Sequence, residues 1–297
     1  MKGLEAPEKV PAEFRHFLVS AFPEFANSRL TVAGRGWHSL AVEIDGRIIA
    51  KFPSGAEAEE ALRREARLLE AVRPRVRMPV PAMVLHEGPP LFSLHEKLPG
   101  RRLERSDYLQ LEGPARDRLV RDLAGFFADL HAIPVETMRA AGAERAEWWD
   151  TQPQTLEPVW AALPADVRGQ AFAAVEDYRS LRFAPEHDVY GHFDAHGWNM
   201  AFDRARSRLG GIFDFADSGF GPPEREFVQL SLTHPELARL AIDAYEEIAR
   251  REIDRRRVFL LAAAQRLSEF AGALETGEGL ELVRHFAIEW FEQRSVR

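Results

Sequence analysis

The sequence predicts an α+β protein of two lobes, a small sheet-bearing lobe over residues 1–98 and a larger, mainly helical lobe over 99–297. Three observations carry that expectation. Alternating β-branched and apolar runs with tight-turn signals are concentrated in the first part of the chain, and apolar residues at helical spacing fill most of the rest. The change falls at Leu98-Pro99-Gly100. A length of 297 residues also exceeds what one compact core usually holds, which favours a division.

In chain order, PAEFRHFLVSAF places Phe14, Phe17, Leu18 and Val19 at helical spacing before Pro23, which predicts a short N-terminal helix. RLTVAGRGWHSLAVEIDGRIIAKFP alternates like strands around Asp45-Gly46, a tight-turn dipeptide, and reads as a hairpin. AEAEEALRREARLLEAV is built of strong helix formers and ends before Pro74. Two further strands are expected around residues 82–87 and 91–98, joined by Gly88-Pro89-Pro90. Past Gly100, one helix is marked by Leu119, Leu123, Phe127 and Leu130 on one face and another by ADVRGQAFAAVEDYRSL. Two or three more fill the C-terminal third.

Composition narrows the chemistry. A hydrophobic fraction of 45% and a charged fraction of 29% are those of a globular domain, and no apolar run approaches membrane-spanning length. The N-terminus lacks the apolar core of a secretory signal, so a cytoplasmic protein is expected. The net charge of −8 argues against a surface made for nucleic-acid phosphates and is compatible with a cationic small substrate. Cysteine is absent, so thiolate nucleophiles, thiolate metal sites and disulfides are excluded. Lysine occurs only at Lys2, Lys9, Lys51 and Lys97, which singles out Lys51 inside the apolar run IIAKF.

The remaining polar residues converge on one irregular island between helices, VYGHFDAHGWNMAFD followed by RLGGIFDFADSGFGPPE. It places His192, Asp194, His196 and Asn199 within one loop, and a strand pair behind it would return Asp214 beside Asp194 and Asn199. Two carboxylates and an amide oxygen form an all-oxygen set suited to a hard cation such as Mg²⁺, with one carboxylate left to accept a proton. A zinc site on His192, Asp194 and His196 is the competing reading, disfavoured by spacing. Taken singly, each is better explained as structural than as catalytic, Asp194 and Asn199 as turn caps and the histidines as partners of backbone groups.

HFDAHGWN resembles the catalytic loop of the aminoglycoside phosphotransferase family, His-x-Asp-x-x-x-x-Asn, and GIFDFADSGFGPPEREF resembles that family's metal-binding segment. GRGWHSLAVEIDGRIIAKFP, LRREARLLEAV, HEKLPG and DLAGFFADLHAIP match further segments in the family's order, and the likeness covers most of residues 28–232. The N-terminal lobe is most similar to the 2″-phosphotransferase branch, although His38 stands where that branch often has aspartate.

The resemblance implies a two-lobed protein-kinase-like fold and phosphoryl transfer from ATP or GTP to a hydroxyl of a small molecule. Asp194 would be the catalytic aspartate, and Asn199 and Asp214 would hold Mg²⁺. Lys51 would meet the nucleotide phosphates with Glu65 as its ion-pair partner, Glu59 and Glu60 being alternatives, while Gly34, Gly36 and Ser39 would form the phosphate-covering loop. The base would lie against the backbone of Glu96 and Leu98, with His95 behind it. Asp217 and Glu224, with Glu226 close by, would supply carboxylates for an aminoglycoside. A neutral antibiotic, sugar or metabolite is the alternative acceptor, and a nucleotide-binding pseudokinase the alternative class. His131, Trp148, Trp149 and Trp160 are expected to be packing residues, and His192 a brace for the loop.

Overall fold

A computed structural model describes residues 9–36 and 39–292; Trp37 and His38 therefore lie outside the described residues. Helix α1 (Ala12–Ala21) precedes strands β1 (Leu30–Arg35), β2 (Ser39–Ile44) and β3 (Ile48–Pro53). Helix α2 (Ala56–Val72) then leads to β4 (Val84–His86) and β5 (Phe92–Glu96). These strands form one antiparallel sheet in the order β1-β2-β3-β5-β4. The turn between β2 and β3 is Asp45-Gly46, with φ of 51° and 72°, the left-handed pair that a two-residue hairpin requires. The first segment is thus three strands rather than one hairpin. The chain reverses a second time between β1 and β2, past Arg35, and continuous alternation on both sides conceals the break.

One face of the sheet buries Leu40, Val42, Ile44 and Phe52, which pack with Leu18 of α1 and Phe92 of β5. On α2 the buried residues are Ala58, Leu62, Glu65, Leu68, Leu69 and Val72; the last three join the core of the helical lobe. A single helix therefore ties the sheet to the larger body.

Past Gly100 follow β6 (Arg101–Arg102), α3 (Arg105–Gln110), α4 (Gly113–His131), α5 (Val135–Ala140), α6 (Pro153–Ala162) and α7 (Ala165–Ser180). Strands β7 (Val189–Gly191), β8 (Met200–Asp203), β9 (Arg208–Ile212) and β10 (Gly219–Gly221) then bracket the polar island, with β7 pairing β10 and β6 pairing β8 beside β9. The chain closes with α8 (Arg225–Thr233), α9 (Pro235–Ala249), α10 (Arg255–Thr276) and α11 (Leu280–Glu292). Four helices stand where two or three were expected, because Pro235 serves as the first residue of α9 and separates it from α8 by His234 alone. Leu119, Leu123, Phe127 and Leu130 of α4 are buried, as their spacing predicts.

Two glycines fit the strands of the island beneath the inter-lobe segment. A Cβ on Gly210 would lie 1.8 Å from the Pro99 carbonyl oxygen, and one on Gly211 would lie 2.5 Å from that of Pro79. Ile212 N–H donates to the Pro79 carbonyl at 3.0 Å, pinning the β8–β9 hairpin to the segment that enters the sheet lobe.

Candidate active site

Lys51 projects from β3 with its Nζ donating to Glu65 Oε2 at 2.9 Å and to Asp214 Oδ1 at 3.0 Å. Glu65, 2% exposed, uses Oε1 to accept the Phe215 N–H at 3.0 Å. Among the candidate partners on α2, Glu65 is the one that meets Lys51, whereas Glu59 and Glu60 pair with Arg63 and Arg67. Burial works against the Lys51 charge, but Glu65 and Asp214 outweigh it and raise the ammonium pKa. Burial alone would push Asp214 up, and the adjacent Lys51 ammonium reverses that and holds it below the ordinary carboxylate range. Asp214 has φ 65°, a left-handed conformation uncommon for a residue with a Cβ.

The loop between β7 and β8 is braced from below. Glu226, fully buried, accepts the N–H of His192 at 2.7 Å and of Phe193 at 3.0 Å, which supports the left-handed turn at Phe193 (φ 60°). His192 Nδ1 accepts the Asp194 N–H at 3.2 Å, so its proton sits on Nε2, 3.1 Å from the Phe213 carbonyl. One imidazole therefore joins the Asp194 loop to the Asp214 turn, the brace expected of it. His131, packed as expected, places Nε2 3.5 Å from Glu226 and Nδ1 2.7 Å from the Tyr245 hydroxyl.

Asn199 Nδ2 donates to Asp194 Oδ2 at 2.6 Å and to the Asp194 carbonyl at 3.0 Å. Burial is the main cause that raises the Asp194 pKa well above the usual range, with the charges of Asp217 and Asp214 adding to it. His196 Nε2 lies 3.5 Å from Asp194 Oδ1, and burial holds His196 down at about 4, neutral at physiological pH. Asp194, Asn199, Asp214, Lys51 and Glu65 thus share one cleft between the lobes. At its roof Gly36 N–H donates to the Ser39 carbonyl at 2.9 Å, closing the β1–β2 turn. At its inner end His95 Nδ1 contacts the Glu96 carbonyl at 2.9 Å.

The carboxylates assigned to an acceptor separate. Asp217 remains near the cleft, where burial and then Asp214 raise its pKa. Glu224 is 8% exposed and lines a different cavity of about 150 Å³ with Asp188, Arg251 and Arg257, which none of the Asp194 cluster borders. Glu226 is the loop brace and meets no solvent. Between them Arg225, 7% exposed, has its guanidinium carbon 4.6 Å from the Trp149 ring centroid, 5.3 Å from Phe193 and 5.6 Å from Trp148. The tryptophans at 148 and 149 pack, but against a cation. Glu269 of α10 escapes sequence reasoning altogether. An exposed residue, it accepts from Gln265 at 2.8 Å, and its charge reaches Asp194. No local motif marks it.

A sheet lobe and a helical lobe enclosing a lysine–glutamate pair, an aspartate–asparagine loop and a second aspartate define a two-lobed phosphotransferase architecture. Residues 29–259 match the model of the phosphotransferase enzyme family, and the chain belongs to that family. The same fold is found in the GDP and kanamycin complex of APH(2")-IIia, with TM-score 0.77, 21% identity and coverage of 95% of this chain and 98% of that one. The streptomycin-ATP-APH(2")-IIa ternary complex gives TM-score 0.64 at 19% identity, covering 96% and 97%. The apoenzyme of macrolide 2'-phosphotransferase MphH from Brachybacterium faecium gives 0.62 at 19%, covering 94% and 100%. No curated protein matches the chain by sequence.

Proposed function

We propose that this protein transfers the γ-phosphate of a Mg²⁺-bound ATP or GTP to a hydroxyl of a small molecule in the cytoplasm, with an amine-bearing antibiotic of the aminoglycoside type as the leading acceptor. The observation that carries the reading is Lys51 held between Glu65 and Asp214, across the cleft from the hydrogen-bonded Asp194–Asn199 pair. Residues 1–98 form the nucleotide-binding lobe and residues 99–297 the catalytic and acceptor-binding lobe in this scheme.

The residues present fit a magnesium ion. Both hydrogen bonds of the Asn199 amide nitrogen go to Asp194, which leaves its oxygen for a cation, and Asp214 Oδ2 is free of Lys51. Among the described residues no group of three or more His, Cys, Asp or Glu could cage a metal. Two protein oxygens completed by phosphate and water oxygens are the usual complement for Mg²⁺. When bound, the ion neutralises charge on the transferring phosphate. Lys51 screens the phosphate chain, and Glu65 keeps its ammonium aimed into the cleft. Gly34, Gly36 and Ser39 cover the phosphates, and the backbone of Glu96 and Leu98 receives the base. Asp194, its proton affinity raised by burial and neighbouring carboxylates, orients the acceptor hydroxyl and takes its proton. Asp217 faces the acceptor, and Glu269 is added to it in place of Glu224.

Purified protein incubated with Mg²⁺, ATP or GTP and a panel of hydroxylated compounds tests this reading. Acceptor-dependent release of ADP or GDP, abolished in Lys51→Met, is expected. Nucleotide binding without turnover on any acceptor would instead favour a pseudokinase.

A further inference from the structure

Arg102 is the second residue of β6, paired with Ala201 of β8 two residues after Asn199. The next residue, Leu103, donates its N–H to the Gly197 carbonyl at 2.9 Å, so the backbone at Arg102 is fixed both to β8 and to the Asp194–Asn199 loop. Its side chain crosses to the other lobe. A Cβ built on Gly34 would come within 2.8 Å of the Arg102 Nη2, which places the guanidinium against the strand leading into the glycine turn. Its charge also acts on His196 of the Asp194–Asn199 loop. Among the described residues the Arg102 side chain makes no hydrogen bond or ion pair, and the residue is exposed.

A nucleotide that starts at the backbone of Glu96 and Leu98 and ends beside Asp194 has its ribose and phosphates between the glycine turn and the Asp194 loop. Arg102 reaches that route from the helical lobe, between Gly34 and the loop that carries His196. The anionic groups of the reading proposed above that pass there are phosphates, and a guanidinium presents several donors in a planar fork suited to them. We propose that Arg102 is a second phosphate-binding cation, which grips the nucleotide's phosphate chain from the helical lobe and, through its contact with Gly34, couples nucleotide binding to approach of the two lobes.

This inference rests on the nucleotide-dependent reading, and the experiment separates the two. Equilibrium binding of Mg·ATP and Mg·GTP, their diphosphates, and free adenosine and guanosine is measured for the wild type, Arg102→Gln, Arg102→Lys and the strand neighbour Arg101→Gln. Removing a charge-assisted contact predicts a loss of roughly ten-fold or more in triphosphate affinity for Arg102→Gln. Partial recovery is expected in Arg102→Lys, with wild-type behaviour in Arg101→Gln. Nucleoside affinity should not change, and the salt dependence of triphosphate binding should weaken. Unchanged triphosphate affinity in Arg102→Gln, or an equal loss for nucleosides and nucleotides, would overturn the phosphate role while leaving the phosphotransferase reading intact. Failure of the wild-type protein to bind any nucleotide would overturn both.

Discussion

Asp194 and His192 show how much one side chain's surroundings determine. Asp194 sits among carboxylates and has one hydrogen-bonding amide partner in Asn199, so its proton affinity rises and it suits the role of base. Asp194→Asn keeps the shape and removes the base, and should lower kcat by roughly 100-fold or more while Mg·nucleotide affinity stays near wild type. Near-normal turnover in the folded variant would remove Asp194 from the mechanism. His192 makes a prediction about stability. Burial lowers its pKa from an ordinary 6.5, so the folded protein refuses a proton that the unfolded chain accepts. The stability due to neutral His192 is complete above the unfolded value and is lost as pH falls from about 6.5 toward the lower folded value. His196, with a folded value of about 4, acts in the same direction. Urea unfolding at pH 7.5 and 5.5 should show a larger acid loss for the wild type than for His192→Gln. Each histidine contributes at most about 1.4 kcal/mol per pH unit. Equal losses would show that His192 is not the group responsible.

Elements meet in this protein through glycines and one buried carboxylate. Glu226, in the first turn of α8, holds two N–H groups of the loop after β7, and that loop is as stable as α8 is in place. Gly210 lies beneath the segment between the lobes, where an added methyl would meet a backbone oxygen that no rotamer can clear. Gly210→Ala should therefore destabilise the fold by about 1–3 kcal/mol, the usual range for overpacking. Gly169, inside α7 with nothing within 4 Å of where a Cβ would stand, is the contrasting case. Gly169→Ala should stabilise by about 0.5–1 kcal/mol, through reduced freedom of the unfolded chain and better helix propensity. Thermal unfolding of the two variants reads both signs, and a Gly210→Ala protein with wild-type Tm would disprove the close approach.

Across the whole molecule, the net charge of −8 and the carboxylates that remain at the cleft favour an acceptor carrying amines. The acidic field there is smaller than the sequence implies. Glu224 faces another cavity, Glu226 is sealed beneath the loop, and Arg225 offsets part of the charge of Asp217. In the proposed scheme Asp217 and Glu269 are left to pair with ammonium groups. Kanamycin- and gentamicin-type compounds should be phosphorylated in preference to neutral macrolides and simple sugars. Glu269→Gln should raise the KM for an amine-bearing acceptor by roughly ten-fold, with little change for a neutral one. Turnover confined to neutral acceptors would reject the aminoglycoside assignment and leave the phosphotransferase intact.

The sequence by itself determined the local chemistry. Asp194, Asn199 and Asp214 sit on a loop and a strand pair whose turns and alternation are encoded within about one hairpin, and Lys51 stands out as an isolated lysine in an apolar strand. The tertiary structure decided which distant groups reach them. Glu59, Glu60 and Glu65 occupy different faces of α2, and only the packing of Leu62, Leu68 and Leu69 aims Glu65 at Lys51. Glu224, Arg225 and Glu226 are neighbours in sequence, yet the start of α8 sends them to a separate cavity, an aromatic cage and the underside of a loop. Glu269 and Arg102 come to the cleft from elements with no motif of their own. Spacing along the chain sets short-range geometry, whereas these approaches follow from burying apolar faces of remote elements against one another, which no local pattern specifies.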